Sequence, residues 1–275
     1  MFISRLVSTT IPLLKPAQTS PTTPASHPSV PELTYDVRLL AASLKKWQAS
    51  ASLRAVYTDY FRELAAWRVP GRALELGSGI GNLRQCLPDV ETSDVVATPY
   101  AQHVVSAYAL PADYATFFLI DVLHHLDAPL KFFASAAAVL PVGGRLVMLE
   151  PAAGAGARAF YGLFHAEPCR PGAVRAPAPE VRQPDGTFAN MGMAEALFGR
   201  LRSRPDLQAW LAEHRLQVVH LRYRDLLSYP ATGGYSGPQF CSLGTVRWLM
   251  RWEQKLPQWF LRHFALRMVI VLERF

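Results

Sequence analysis

The chain has 275 residues, 50% of them hydrophobic and 18% charged, so it can bury a sizeable core, and no apolar run approaches the roughly 18 residues of a membrane-spanning helix. Its three cysteines lie far apart and show neither a disulfide framework nor a C-x-x-C zinc pattern, which favours a reducing compartment such as the cytoplasm. The net charge of +7 is concentrated in residues 197–275, where 12 basic residues outnumber 5 acidic ones, and this excess suits either a solvated surface or an anionic partner.

An N-terminal tail precedes the first predicted elements. Residues 1–31 are rich in Ser, Thr and Pro, and we expect them to be disordered. Residues 34–67 have an apolar period near 3.6, which predicts helix, and Pro70 and Gly71 end this segment. Strands are then predicted at 72–76, 89–94, 103–107, 116–121 and 145–150. A brief helix that Pro88 ends is expected after the glycines of 77–81, and a longer helix is expected at 130–140.

The second half of the chain departs from this alternation. Residues 152–193 contain many prolines and glycines, and we interpret them as a partly ordered lid with a short helix near 157–165. The remaining predicted elements are helices at 194–214 and 245–264 and strands at 216–224 and 266–275. The expected single domain, 32–275, therefore consists of N-terminal helices (32–70), a strand-rich core (71–151), the lid (152–193), and an insert between the last two strands (225–264).

Alternating strands and helices predict an open α/β sheet whose strands pair in parallel through right-handed crossovers. Ligands of such sheets bind beyond the carboxyl ends of the strands. The glycine-rich segment after the first strand lies at such an end, as do Asp94, Ser106, Asp121 and Glu150. We therefore expect one edge of the sheet to gather these residues.

The segment RALELGSGIGNL, residues 72–83, carries three glycines at alternate positions. This spacing differs from the G-x-G-x-x-G fingerprint of dinucleotide-binding loops, and the segment lacks the lysine of a phosphate-binding loop. Glu75 just before the glycines would repel a pyrophosphate but would attract an ammonium or a sulfonium. Asp94, at the end of the next strand, can accept hydrogen bonds from ribose hydroxyls. Together they indicate an adenosyl ligand with a cationic tail; the alternative is a tight turn beside two surface acids.

Four segments in order, LELGSGIGN, TSD, DVLHHL and LPVGGRLVMLEP, resemble motifs of the class I S-adenosylmethionine-dependent methyltransferases of the small-molecule type. The resemblance covers about residues 70–151. It implies a Rossmann-like, seven-stranded, mostly parallel sheet with an antiparallel last strand and helices on both faces, and it implies S-adenosylmethionine as cofactor. It also implies contacts with the methionine part at Glu75, Gly77, Ser78, Gly79 and Gly81, with the ribose at Asp94, with the adenine at Val95, Ser106 and Ala107, and with the methyl donor at Asp121.

Two departures from the family pattern keep a second kind of function open. Ser106 stands where the family often has an acid facing the adenine amino group, and the segment LPADYATFFLID lacks the usual acidic start of the fourth strand. A catalytically weak or inactive cofactor-binding fold that acts as an interaction partner is therefore an alternative to a methyltransferase.

Two histidines are candidates for a general base. His124 follows the fourth predicted strand, close to the expected methyl position, and an imidazole titrates near neutral pH. His165 lies with Glu167 in the predicted lid. The alternatives are a packing role for the LHH segment and a surface position for His165. Tyr161, Tyr229 and Tyr235 are candidate pocket walls, and no metal ion is predicted.

The helix predicted at 245–264 combines basic residues with tryptophans. Arg247, Arg251 and Lys255 are spaced by four and should share one face, next to a face carrying three tryptophans, while Pro257 should kink the helix. This pattern suits an interfacial helix on an anionic membrane, and the acceptor would then be amphipathic. The alternative is that the tryptophans pack on the sheet and the basic residues face water.

The leading interpretation is methyl transfer to a small-molecule or lipid- or glycan-linked acceptor. RNA methylation is a second enzymatic hypothesis, which the net positive charge permits. Against it, no RNA-binding module is visible, and DVLH stands where amine-methylating enzymes carry an NPPY-like motif. DNA is not expected as a partner. A nicotinamide oxidoreductase is disfavoured by the glycine spacing.

Overall fold

The structure is a computed structural model, and it describes residues 37–164, 167–171 and 189–275. The predicted tail and much of the predicted lid fall outside the described residues, so the expectations for those segments stay predictions. Among the described residues, no helix combines the length and the apolar character needed to cross a membrane.

Seven strands form one sheet in the order β3-β2-β1-β4-β5-β7-β6. The first five pair in parallel, whereas β7 runs antiparallel to both of its neighbours. The expectation of a mostly parallel sheet with an antiparallel last strand is thus confirmed. The strands are β1 (Ala73–Leu76), β2 (Glu91–Asp94), β3 (His103–Val104), β4 (Thr116–Ile120), β5 (Arg145–Pro151), β6 (Leu216–Arg224) and β7 (Arg267–Arg274).

Helices cover both faces of the sheet. Successive residues of its central strands point to opposite sides, so each strand contributes apolar side chains to both layers of helices. On β4, Phe117 and Leu119 belong to one hydrophobic core, and Phe118 between them belongs to the other. The first core also contains residues of the helices Pro129–Val139 and Pro205–Glu213, and the second contains residues of the helices Ala51–Ala65 and Leu243–Glu253. The helices are α1 (Val37–Ala49), α2 (Ala51–Ala65), α3 (Pro129–Val139), α4 (Ala155–Phe164), α5 (Pro205–Glu213), α6 (Ser228–Ala231), α7 (Leu243–Glu253) and α8 (Gln258–Phe264).

Three predicted helices are divided in the structure, each for a local reason. The segment 34–67 breaks at Ser50, whose side chain caps α2 by accepting a hydrogen bond from the Leu53 amide. The segment 194–214 becomes a π-helical turn and a 3₁₀ turn before α5, which begins at Pro205. The prediction of one continuous, kinked helix at 245–264 is wrong, because Pro257 separates two helices, α7 and α8.

Two short elements also differ from their predictions. The third strand was expected at 103–107 but pairs only through His103 and Val104, so Ser106 and Ala107 lie in the loop beyond it. A brief 3₁₀ turn, Asn82–Gln85, stands where a short helix was expected after the glycines. Both differences lie at the β2–β3 end of the sheet.

Candidate functional site

The loop between β1 and the 3₁₀ turn owes its shape to its glycines. Gly77, Gly79 and Gly81 all have positive φ, between 54° and 68°, a region that side chains disfavour. A Cβ atom on Gly77 would lie 2.7 Å from a methyl group of Val122. The Ser78 amide donates to the Ser93 carbonyl at 2.9 Å, which ties the loop to β2. The loop is therefore a tight turn held at the carboxyl edge of the sheet.

Glu75 on β1 is a buried carboxyl that lacks a hydrogen-bond partner on Oε2 among the described residues. Its residue is only 2% exposed. Burial, together with the neighbouring Asp94 carboxylate, raises the pKa of Glu75 to about 8. The Ser78 hydroxyl is similarly buried without a partner in the described part of the chain. Leaving such groups unsatisfied is costly, so the pair suits a polar, cationic ligand group that would satisfy both.

Asp94 ends β2 next to Glu75, as the sequence predicts. It is buried, and its Oδ1 accepts a hydrogen bond from the Val95 amide at 2.8 Å. Val95 is 38% exposed, and its contact with an adenine stays a prediction. Ser106 lies farther along, and its hydroxyl accepts from the Tyr108 amide at 3.2 Å. Its contact with an adenine stays a prediction.

Asp121 follows β4 and forms a buried ion pair with Arg267 at the start of β7. Burial opposes ionisation of Asp121, but the Arg267 guanidinium outweighs it and lowers the pKa of the carboxyl below its ordinary value. Asp121 also has a positive φ of 59°, a strained conformation for a residue with a side chain. Arg267 was not among the predicted site residues, since it lies 146 positions along the chain and only strand pairing brings it here.

Tyrosines surround the Asp121–Arg267 pair. The guanidinium carbon lies 5.0 Å from the ring centre of Tyr229, and the Tyr57 and Tyr229 rings are 6.2 Å apart. Tyr161 donates a hydrogen bond to the Leu266 carbonyl, beside Arg267. Burial raises the pKa of all three phenols above their ordinary range, so they stay protonated donors. Two of the predicted pocket walls, Tyr161 and Tyr229, thus lie next to Asp121.

α1 and the turn after α6 close over the glycine loop. A Cβ atom on Gly79 would be 4.0 Å from a methyl group of Leu40 on α1. Trp47 of α1 stacks on Tyr235, the third predicted wall, with ring centres 6.4 Å apart. The Tyr235 hydroxyl accepts a hydrogen bond from Asn82 at 2.7 Å. These contacts hold α1 and the turn after α6 against one side of the loop, while Gly77 stays exposed.

His124 is buried between two carboxylates. Its Nδ1 lies 2.8 Å from Oε2 of Glu150, and its Nε2 lies 3.6 Å from Oε2 of Glu167. Burial alone would lower the pKa of His124, but the two glutamates raise it to about 9. Both ring nitrogens therefore face carboxylates, and the role of His124 as a general base stays a prediction. His165, the other candidate base, lies outside the described residues.

Glu150 acts as an anchor for the loop after β4 rather than as a ligand-facing acid at the sheet edge. It is fully buried, and Oε1 accepts hydrogen bonds from the amides of Val122 and Leu123, each at 2.8 Å. This carboxylate therefore fixes the loop that carries Asp121 and His124.

A separate cavity of about 320 Å³ lies between α2, β6 and α7, away from the glycine loop. Its charged walls are largely paired with each other: Arg224 forms ion pairs with both Asp59 and Glu63. Such pairing is what a structural salt-bridge network requires, so we place the candidate site at the carboxyl edge of the sheet.

Comparison with known proteins supports this fold. No protein-family model matches the chain, and no curated protein matches it. A candidate sarcosine dimethylglycine methyltransferase from Galdieria sulphuraria has a solved structure that is 13% identical, with a TM-score of 0.50 over 86% of this chain and 98% of that one. A S-adenosylmethionine-dependent methyltransferase from Thermotoga maritima, a candidate histamine N-methyltransferase, is 12% identical, with a TM-score of 0.50 over 86% and 96%. The chain thus has the class I methyltransferase fold.

Proposed function

We propose that this chain, which has the class I methyltransferase fold, is a S-adenosylmethionine-dependent methyltransferase acting on a small-molecule or lipid- or glycan-linked acceptor. The observation that carries the proposal is the buried Glu75 carboxyl, which lacks a partner on Oε2 among the described residues and stands between the glycine loop and Asp94. A cationic amino-acid tail would satisfy that carboxyl, and Asp94 would accept from a ribose.

The residues present fit the cofactor. Glu75, Ser78 and the glycine loop would hold its methionine part, and Asp94 its ribose. When bound, the cofactor supplies an electrophilic methyl group on a sulfonium, and transfer of that group needs orientation more than covalent help. The chain's own contribution is to hold the cofactor in the loop beside α1 and Tyr235 and to orient the acceptor.

The Asp121–Arg267 pair and its tyrosines form the acceptor side of the proposed site. Fixed phenol hydroxyls and a neutralised ion pair can orient a polar group without adding net charge. The neighbouring solved structures share the fold only and do not identify the acceptor.

The test is transfer of labelled methyl groups from S-adenosylmethionine to separated acceptor pools: aqueous metabolites, extracted lipids and total RNA. The proposal expects label in the metabolite or lipid pool, and loss of that label in the Gly79→Arg variant, whose side chain would fill the cofactor loop. Label in RNA alone would favour the RNA methyltransferase alternative. Binding of the cofactor without label in any pool would favour an inactive cofactor-binding fold.

We propose further that α7 and α8 contact an anionic membrane surface. Trp248, Trp252 and Trp259 are 56%, 38% and 70% exposed, so much of each side chain faces solvent rather than the sheet. Trp248 and Trp252 stack on each other at 6.4 Å. Arg247 and Arg251, on the same helix, are exposed too. Exposed tryptophans beside arginines are typical of interfacial helices.

Flotation with liposomes tests this contact. The wild-type protein is expected to float with vesicles containing anionic lipid and not with neutral vesicles. Two variants separate the contributions: Arg247→Ala/Arg251→Ala/Lys255→Ala should lose the preference for anionic lipid, and Trp248→Ser/Trp252→Ser should weaken flotation altogether. Unchanged flotation of both variants, or no flotation of the wild type, would reject the membrane contact while leaving the methyltransferase proposal untouched.

A further inference from the structure

Three potential metal ligands from two separate segments meet behind the loop that follows β4. His124 and His125 belong to that loop, and Glu167 belongs to the segment after α4. One donor atom from each residue can be chosen so that all three lie within 4.8 Å of one another. His124 is 2% exposed and Glu167 is 6% exposed, whereas His125 is half-buried, so two of the three ligands lie inside the protein.

We propose that His124, His125 and Glu167 bind one divalent cation of the zinc type. Two imidazoles and one carboxylate form a ligand set that zinc uses in proteins, with a fourth position left for water or a substrate oxygen. This proposal does not rest on the methyltransferase function, since the three side chains and their spacing alone carry it.

The separation of His124 from Glu167 is closer to that of two zinc ligands than to that of a direct hydrogen bond. Nε2 of His124 and Oε2 of Glu167 are 3.6 Å apart, beyond the usual 2.7–3.2 Å of a nitrogen–oxygen hydrogen bond. Two ligand atoms bound to tetrahedral zinc at about 2.0–2.1 Å are separated by roughly 3.3 Å. The His124–Glu167 pair therefore needs a small adjustment, and the set of three, which lies within 4.8 Å, must contract further to surround one ion. The rings of His124 and His125 also lie close, with centres 4.1 Å apart and planes inclined by 41°.

The outer contacts of His124 have the arrangement that metal-bound histidines need. Its Nδ1 is 2.8 Å from Glu150, which leaves Nε2 directed toward Glu167. A carboxylate on the far nitrogen fixes the ring and raises its basicity as a ligand. Glu150 is itself held by amide donors from Val122 and Leu123, so the orientation of the histidine is fixed before any ion binds.

Backbone contacts hold the Glu167 segment against the histidine loop. The Asn190 amide donates to the His124 carbonyl at 2.8 Å, and the Met191 amide donates to the Pro168 carbonyl at 2.9 Å. The Asn190 side chain also accepts from the Arg170 amide and donates to the Arg170 carbonyl. A cation bound here would link the segment after α4 to the sheet edge and would balance the two buried glutamates.

Metal titration of the chelator-treated protein tests the proposal directly. Zinc is added in competition with a chromophoric chelator, and cobalt is added separately to record the visible spectrum. We expect one ion per chain and a cobalt spectrum of a four- or five-coordinate nitrogen–oxygen site, without a thiolate charge-transfer band. The near-isosteric Glu167→Gln variant should bind zinc at least tenfold more weakly, and His124→Ala should do so as well.

Two controls make the outcome decisive. His263→Ala removes an exposed histidine of α8 and should bind like the wild type. Cys169→Ser removes a thiol two residues from Glu167 and should also leave the affinity unchanged. Far-UV circular dichroism checks that each variant is folded, and the wild-type stoichiometry stands independently of any variant. Binding of no ion by the wild type, equal affinity in Glu167→Gln, or a loss of binding in Cys169→Ser would overturn the proposal.

Discussion

Replacing Glu75 by glutamine should stabilise the unliganded protein increasingly as the pH rises. The folded protein holds a proton on Glu75 up to a pKa of about 8, because burial and then Asp94 disfavour the charged form, whereas the ordinary value is 4.5. Between these two values the folded state binds more protons at this position than the unfolded state does. The free energy of unfolding therefore falls with rising pH in the wild type. Glutamine does not titrate, so the Glu75→Gln variant lacks this loss.

The size of the effect follows from the width of that window. One unit of pKa corresponds to about 1.4 kcal/mol, so the stability advantage of Glu75→Gln over the wild type should grow by about 2 to 3 kcal/mol between pH 5 and pH 7. It should level off above pH 8. Urea unfolding of both proteins without ligand measures this difference. Glu213→Gln, a substitution of an exposed carboxylate on α5, is the matched control and should give a difference that does not change with pH.

Ligand binding provides a second test of the protonation state of Glu75. A cationic ligand group that pairs with Glu75 would ionise it, so binding at pH 7 should release about 0.9 proton if the pKa of the free protein is near 8. Calorimetry in buffers of different ionisation enthalpy measures that number. The account of Glu75 as a protonated carboxyl that ionises on ligand binding would be refuted by two results together. The stability of Glu75→Gln and that of the wild type would depend on pH in the same way, and ligand binding would release no proton.

Two further substitutions test the geometry around the site. Gly77→Ala would place a methyl group against Val122 at a position with positive φ, whereas Gly143→Ala has a similar φ but nothing within 4 Å of its new methyl group. Urea unfolding should show the Gly77→Ala variant to be less stable than the Gly143→Ala variant by about 1–3 kcal/mol. Equal losses of stability would contradict the close approach of Val122 to Gly77. Arg267→Met would leave Asp121 as an uncompensated buried charge and should cost about 3–5 kcal/mol in the same assay, with a smaller loss in Arg267→Met/Asp121→Asn; a double variant no better than the single one would argue against a coupled pair.

Much of the fold could be predicted from the sequence because its signals are local. Short apolar runs predicted β1, β4 and β5, which match closely because they are buried on both faces. The breaks at Ser50, Pro205 and Pro257 were less visible. Proline and cap residues mark a boundary, but an apolar period of 3.6 continues across it when both helices pack on the same core.

The candidate site was predictable only where its residues belong to one local motif. Glu75, the glycines and Asp94 follow directly from strand ends in sequence, and the structure gathers them at one edge. Arg267 comes to Asp121 through the pairing of β5 with β7, which no short-range pattern encodes. The contact of His124 with Glu150 and Glu167 likewise depends on two distant segments.

Calorimetric titration with S-adenosylmethionine, S-adenosylhomocysteine and NAD at pH 8 tests the central claim most directly. Binding of one molecule of each adenosyl-sulfur ligand per chain is expected, with no binding of NAD, a weaker interaction in Asp94→Ala and none in Gly79→Arg. Failure of both adenosyl-sulfur ligands to bind the folded wild-type protein, or tighter binding of NAD than of either, would contradict the account.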